Sequence, residues 1–365
     1  MTRGADALRT AIVGCGPMAR WHARALMESP EYALVACCDL DEARARELAA
    51  EPELRSAMAR AHADCAAMLA SERPEVVVIV TPSDSHARLT IQAAEAGARG
   101  VYCEKPMATC LGDGRAMVEA CRARNVALAV NHQRRMSGPI LRLRELLEGG
   151  AIGGIEMVRG SCAGDLLSDA THLVDTIRCL MRDALVTWVF GQVHRAIGPP
   201  VARDPRNVQL ASAGFRYGHP VETGAVGVFE FEGGVRAEVL CGDLRLPQRG
   251  YGDYEVFGST GRLWRPGDGA DPPLLIQDAR GGWRPVEDGG ADEAGLQRST
   301  AQACYGRFAE MVRRGAAHPL AGESALADLE VIMAIFESAR SRAKVALPLA
   351  QDWFPLEMMI EEGAL

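Results

Sequence analysis

"TAIVGCGPMARWHARALMES", residues 10–29, decides how the rest of the chain is read. A short apolar run ends at Val13 in a glycine pair, and Pro17 opens a stretch with helical periodicity. Proline suits a first helical turn because the N–H it lacks has no intrahelical partner there. Gly14, Gly16 and Ala19 make the spacing G-x-G-x-x-A, which gains a mechanism between a strand and a helix. Gly14 permits the tight turn, Gly16 lets backbone approach a pyrophosphate, and Ala19 keeps helix and strand close. Pro17 and Met18 complete the anion-facing turn.

The next strand, "YALVACCD", ends in Asp39, 20 residues beyond Ala19. A carboxylate there accepts hydrogen bonds from both adenosine ribose hydroxyls and repels a 2′-phosphate. Leu40 adds no positive charge, so NAD is expected over NADP. The plainer reading makes Asp39 a helix cap, for which Asp41 is the better candidate.

Strand and helix patterns then alternate through "PEVVVIVTP", "SHARLTIQAAEAG", "GVYCEKP" and "VALAVNH". Such repetition implies a parallel, doubly wound sheet over residues 1–135. Strand C-termini of such a sheet face the ligand crevice, which makes Thr81, Pro82 and His86 of "TPSDSH" cofactor candidates. His86 equally suits a structural helix start. "VYCEKPMAT", residues 101–109, leaves a buried strand and places Glu104 and Lys105 against Pro106. In isolation that is a surface ion pair.

After Gly138 the pattern changes to α+β. "LLSDATHLVDTIRCLM" reads as a helix, with Asp169 and His172 at i and i+3 on one face. "LVTWVFGQVH", "GAVGVFEFE", "VRAEVLCG" and "YGDYEVFG" read as a large open, mainly antiparallel sheet, with a hairpin turn at Gly233-Gly234. A Pro- and Gly-rich stretch near 196–222 reads as a mobile loop or an oligomer contact. The second domain spans 136–365, and its helix near 322–343 is expected to pack back toward the first.

A length of 365 residues suffices for two domains, and 48% hydrophobic with 24% charged residues fits a globular protein. A net charge of −8 argues against nucleic-acid and membrane surfaces. No apolar run reaches the roughly 18 residues of a membrane span. "MTRGADALRT" has no signal-peptide core, so a cytoplasmic protein is expected. The 11 scattered cysteines form no C-x-x-C pair and read as reduced core residues; no metal site is expected.

Taken in order, "GCGPMA", "CCDLD", "TPSDSH" and "EKPMA" resemble the Gfo/Idh/MocA family, the glucose–fructose oxidoreductase and inositol dehydrogenase group. "NHQRRM", "GGAIG", "FEGGVRAEV" and "SARSRAKVALP" extend the resemblance over nearly the whole chain. It implies that Lys105 reaches the hydroxyl being oxidised and that Glu104 lies toward the nicotinamide. It also implies that Pro106 often follows a cis bond and that His172 is the base. The family aspartate commonly stands four residues before that histidine, where this chain has Ser168, so the role of Asp169 is open. Gln133, Arg134 and Asp165 are candidate substrate ligands. The expected activity is NAD-dependent oxidation of a ring alcohol of a sugar, sugar derivative or cyclitol, in a homodimer or homotetramer formed through the C-terminal sheet. The alternatives are a redox-neutral enzyme that holds NAD tightly and acts through a transient ketone, and a non-enzymatic protein that retains a nucleotide fold.

Overall fold

The computed structural model describes residues 6–51, 59–196, 214–246, 251–278, 281–286 and 293–365. The chain divides into two compact units.

The first comprises Met1–Ala108, Asp113–Met136 and Ala294–Leu326. Its strands are β1 (Leu8–Val13), β2 (Tyr32–Cys38), β3 (Arg60–His62), β4 (Val76–Ile79), β5 (Gly100–Cys103) and β6 (Ala127–Val130). They form one parallel sheet in the order β3-β2-β1-β4-β5-β6, the doubly wound topology. All four residues of β4 are buried, which explains its unbroken apolar sequence. The intervening helices are α1 (Pro17–Glu28), α2 (Glu42–Ala49), α3 (Cys65–Glu72), α4 (His86–Glu95) and α5 (Leu111–Ala123). Asp41 caps α2 by accepting from the Ala43 amide, as its sequence position suggests.

After α6 (Gly138–Glu148) and α7 (Thr171–Leu180), the chain supplies this first unit with a further helix, α8 (Glu293–Arg314). Tyr305 of α8 stacks on Tyr102 at 4.7 Å between ring centres, and Phe308 meets the same ring edge-on. The Tyr32 hydroxyl donates to the Tyr305 carbonyl at 2.6 Å. Helix α9 (Gly322–Ser341), expected near the first domain, is divided: its residues from Ala327 onward belong to the second unit.

The second unit comprises Thr109–Gly112, Ser137–Glu293 and Ala327–Leu365. Its nine-stranded sheet contains β7 (Ile155–Cys162), β8 (Val186–His194), β11 (Gly224–Phe231), β12 (Arg236–Gly242) and β13 (Asp253–Gly258). With them run β14 (Gly261–Arg265), β15 (Leu275–Asp278), β16 (Trp283–Pro285) and β17 (Val345–Ala346). The order is β16-β15-β14-β13-β7-β12-β11-β8-β17; β7 and β12 are parallel and the other pairs antiparallel. Gly233 and Gly234 turn the β11–β12 hairpin with φ of 94° and 88°, the backbone a tight hairpin demands. The hairpin of β9 (Phe215–Arg216) and β10 (His219–Pro220) stands where the sequence suggested a loop; residues 197–213 of that stretch lie outside the described residues. Helix α10 (Pro355–Glu361) ends the fold. Among the described residues, no helix is long and apolar enough to cross a membrane. All 11 cysteines carry free thiols.

Candidate active site

In the first unit, seven predicted site residues stand just past the carboxyl ends of parallel strands, while Pro17, Met18 and Ala19 lie in α1 and His86 opens α4. Gly14 follows β1, Asp39 β2, Thr81 β4, Glu104 and Lys105 β5, and Gln133 and Arg134 β6. These ends share one sheet edge, so the topology alone gathers them.

Gly14 has φ +92°, and a Cβ there would lie 2.4 Å from the Val80 carbonyl oxygen. Glycine is therefore dictated by the neighbouring strand. Gly16 differs: a Cβ there would meet no protein atom within 4 Å. It is the N-cap of α1, and no side chain caps that helix. Open space in front of a helix N-terminus that no side chain caps suits a pyrophosphate. The Asp39 carboxylate accepts the Cys15 amide on Oδ2 at 2.8 Å and the Asp41 amide on Oδ1 at 2.9 Å. It is thereby fixed against the glycine turn, and Leu40 beside it is 94% exposed. These residues fit an NAD molecule.

Beyond β4, the Ser85 hydroxyl bonds the Thr81 hydroxyl at 2.6 Å, and Pro82 is exposed. His86 is buried. Its Nδ1 lies 2.8 Å from the Pro106 carbonyl and its Nε2 2.9 Å from that of Thr81, so the ring ties the two loops together. Burial pushes this imidazole below its ordinary range, against the pull of its two carbonyl partners.

The Lys105–Pro106 bond is cis. Lys105 is half-buried, and its amide donates to Glu104 Oε2 at 3.1 Å. Glu104 itself is buried. Its Oε1 accepts from His22 Nε2 at 2.8 Å and Asn131 Nδ2 at 2.7 Å. Burial alone would raise this carboxyl; the hydrogen bond and charge of His22, with Lys105 and Asn131, outweigh it and hold the pKa at about 2. Gln133 and Arg134 are half-buried, and the Oε1 of Gln133 has no protein partner. Arg135 is buried and donates to the Pro319 carbonyl at 3.0 Å.

In the second unit, α7 starts only at Thr171, so Asp169 precedes the helix instead of sharing its face. The reason is Asp165, whose side chain accepts the Ser168 amide at 2.6 Å and whose carbonyl accepts the amides of Asp169 and Ala170. This local turn competes with helix. The His172 amide donates to the Asp169 carbonyl at 3.2 Å, which still sets His172 one turn on. Arg216 of β9 donates to Asp165 at 2.9 Å and also to Asp169. The Tyr251 hydroxyl donates to Asp169 at 3.3 Å. The Ser168 hydroxyl meets His219 Nε2 at 3.1 Å. Glu222, wholly enclosed, accepts the Leu166 amide on Oε1 at 2.5 Å, and its Oε2 has no protein partner. Burial, then the charge of Asp165, raises this carboxyl well above its usual range.

The sequence pattern of the Gfo/Idh/MocA family, an oxidoreductase family with an NAD-binding Rossmann fold, matches residues 8–132. Inositol 2-dehydrogenase 2 of Saccharopolyspora erythraea is 30% identical over 254 residues, 68% of this chain and 68% of that protein. The chain belongs to the Gfo/Idh/MocA family. D-apiose dehydrogenase of Paraburkholderia graminis is 29% identical over 381 residues, 97% of this chain and 94% of that one. Levoglucosan dehydrogenase in complex with NADH and L-sorbose has the same fold, with a TM-score of 0.76 at 22% identity over 94% of this chain and 99% of that one. This Gfo/Idh/MocA member is an oxidoreductase whose N-terminal domain is of the NAD-binding type.

The sequence reading of this Gfo/Idh/MocA protein passed over His22, Asn131, Arg216 and Glu222. His22 had a visible signal: it shares the stripe Ala19, Ala23 and Leu26 on α1, and a polar residue on a buried stripe needs a partner. Arg216 and Glu222 had none, lying in a stretch whose composition reads as loop.

Proposed function

We propose that the protein oxidises a ring alcohol of a sugar, sugar derivative or cyclitol, with NAD preferred over NADP, as a homodimer or homotetramer. The observation that carries this reading is the position of Lys105. It stands two residues past the carboxyl end of β5, on the sheet edge that also presents the Gly14–Gly16 turn and Asp39. A lysine there serves the reacting end of a dinucleotide whose pyrophosphate rests on α1. NAD supplies the hydride acceptor when bound. Lys105 orients the substrate oxygen, and His172 takes the alcohol proton. Gln133, Arg134, Asp165 and Asp169 serve the other hydroxyls; Arg216 holds the last two in place. The named substrates of the relatives, apiose and inositol, support a polyhydroxylated substrate. Asp39 against the glycine turn supports NAD.

A panel of sugars and cyclitols with NAD⁺ and NADP⁺, followed at the NADH absorbance, tests the reading. Lys105→Ala should lose about 10²–10⁴-fold in turnover, the span of an acid–base group, and still bind NAD⁺. Full turnover in that variant removes Lys105 from the chemistry. Co-purified NAD with product formed but no net NADH would replace the dehydrogenase by the redox-neutral reaction.

A further inference from the structure

We propose that Glu104 is a positioning residue for Lys105: a buried carboxylate, tied to His22 of α1 and to Asn131 past β6, that fixes the backbone from which the lysine projects. The inference rests on the reading of Lys105 as the group that meets the substrate.

A carboxylate enclosed by protein is tolerated only where donors surround it. Glu104 has three: His22 Nε2 at 2.8 Å, Asn131 Nδ2 at 2.7 Å and the Lys105 amide at 3.1 Å. Each donor is itself locked. The His22 ring has no exposure, and its Nδ1 lies 2.6 Å from the Tyr305 hydroxyl. The Asn131 Oδ1 accepts the Tyr102 hydroxyl at 2.8 Å. A carboxylate can only accept, so His22 carries its proton on Nε2 and the Asn131 amide has one orientation. Helix α1 and the end of β6 thus meet on one side chain, their donors held in turn by α8 and β5, and that side chain's remaining oxygen holds the Lys105 amide. On the far side, the Pro106 carbonyl is held by His86 at 2.8 Å. Residues 104, 105 and 106 are therefore each tied down, while the lysine side chain reaches a half-exposed position.

A residue that reads the cofactor would turn an oxygen toward the crevice. Both Glu104 oxygens are engaged within the protein, and the carboxylate stays ionised down to about pH 2, its burial offset first by His22. The arrangement also couples two events: the helix that receives the pyrophosphate is the helix that grips Glu104. Misplacing a reacting group by about 1 Å costs on the order of 10²-fold in rate, so a fixed lysine backbone is worth a buried charge.

The experiment compares Glu104→Gln, Lys105→Ala and the double variant in the full chain. Three readouts are taken: NAD⁺ affinity by calorimetry, amide exchange of the 104–107 peptide by mass spectrometry, and kcat/KM on a polyol that the unaltered protein oxidises. Glu104→Gln turns an amide N–H toward that of Lys105. The expected result is NAD⁺ affinity within about 3-fold, since α1 keeps its own hydrogen bonds. Exchange at Lys105 should speed at least about tenfold with the loss of one hydrogen bond. Turnover should fall about 10²-fold, with no further fall when the change is added to Lys105→Ala. NAD⁺ binding weakened tenfold or more with Lys105 protection intact would make Glu104 a cofactor ligand and overturn the proposal. Losses that multiply in the double variant would do the same. If Lys105→Ala alone keeps full turnover, the chemical role of the lysine falls, and exchange and NAD⁺ affinity still judge Glu104. Should Glu104→Gln fail to fold, His22→Gln, which keeps an N–H donor, and His22→Leu, which does not, make the same comparison: protection at Lys105 kept in the first and lost in the second.

Discussion

Two carboxylates differ in what surrounds them: backbone donors around Asp39, other carboxylates around Glu222. Asp39 takes two backbone amides, and the proposed reading gives its remaining lone pairs to a ribose. Asp39→Ala should weaken NAD⁺ about 10- to 10²-fold, the worth of a charge-assisted hydrogen bond, and lift NADP⁺ relative to it; an unchanged preference in paired titrations would remove Asp39 from ribose recognition. Glu222 is the reverse case. It lies near Asp165 and Asp169, whose charges Arg216 shares, and beside Cys241, and its carboxyl is raised from 4.5 to about 8. The folded state therefore binds this proton more tightly than the unfolded chain. The resulting stability is full below about pH 4.5 and is lost as pH rises toward about 8. Glu222→Gln, neutral at every pH, keeps an oxygen for the Leu166 amide. It should flatten the decline in melting temperature between those limits and melt above the unaltered protein at pH 8.5. A steeper decline in the variant would show that the enclosed carboxyl is ionised in the folded state. Neither role could be weighed equally from sequence: Asp39 follows a legible strand at a fixed distance from Ala19, whereas Glu222 acquires its character only from long-range enclosure.

Elements were legible where one physical signal dominated. The glycine turn, the buried run of β4 and the Gly233-Gly234 hairpin each follow from local sterics or apolar continuity, and each stands where it was read. The helix expected from Leu166 starts only at Thr171, because the Asp165 side chain recruits the Ser168 amide first. The β9–β10 hairpin was not legible, since two-residue strands carry no periodicity. A packing feature of the same grade hides in β8 and β11, where Gly191 and Gly227 pair across the ladder. Ile335 of α9 fills the space that their side chains would need. A Cβ on Gly191 would lie 2.7 Å from the Ile335 Cγ2 and 2.9 Å from its carbonyl oxygen, whereas one on Gly227 meets only the flexible end of that side chain. Gly191→Ala must move helix backbone and should cost about 1–3 kcal/mol. Gly227→Ala should cost less and be relieved by Ile335→Val. Thermal melts that rank the two glycines in the opposite order would show that α9 does not set this contact.

At the scale of the whole molecule, the sequence announced two grammars; the chain forms two compact units, and it passes from the first to the second at Ala108, briefly, and again at Met136. That α8 belongs to the first unit was not announced, because a helix carries no mark of the sheet it will cover. What the second unit leaves open is one face of its sheet. Register places Phe190, Val228, Glu238, Arg159 and Glu255 in a row across five strands, with Val226 and Leu240 in the next row. The charges in this area are largely answered within the face: Arg159 pairs with Glu238 at 2.8 Å and Arg236 with Glu230 at 3.1 Å, while Lys344 covers the Trp188 ring at 4.1 Å. Phe190, 49% exposed, and its valine and leucine neighbours form the apolar ground between them. Paired charges and an exposed aromatic on a wide sheet suit a self-complementary interface, which a stable dimer builds from about 800 Å² per partner. The unaltered protein should therefore sediment as a dimer or tetramer at micromolar concentration. Phe190→Asp puts an unpaired carboxylate in that ground and should yield a smaller species, with NAD⁺ affinity retained because the residues proposed for the cofactor lie in the other unit. A monomeric unaltered protein, or a Phe190→Asp variant with unchanged mass by light scattering, would assign self-association to a different surface or to none.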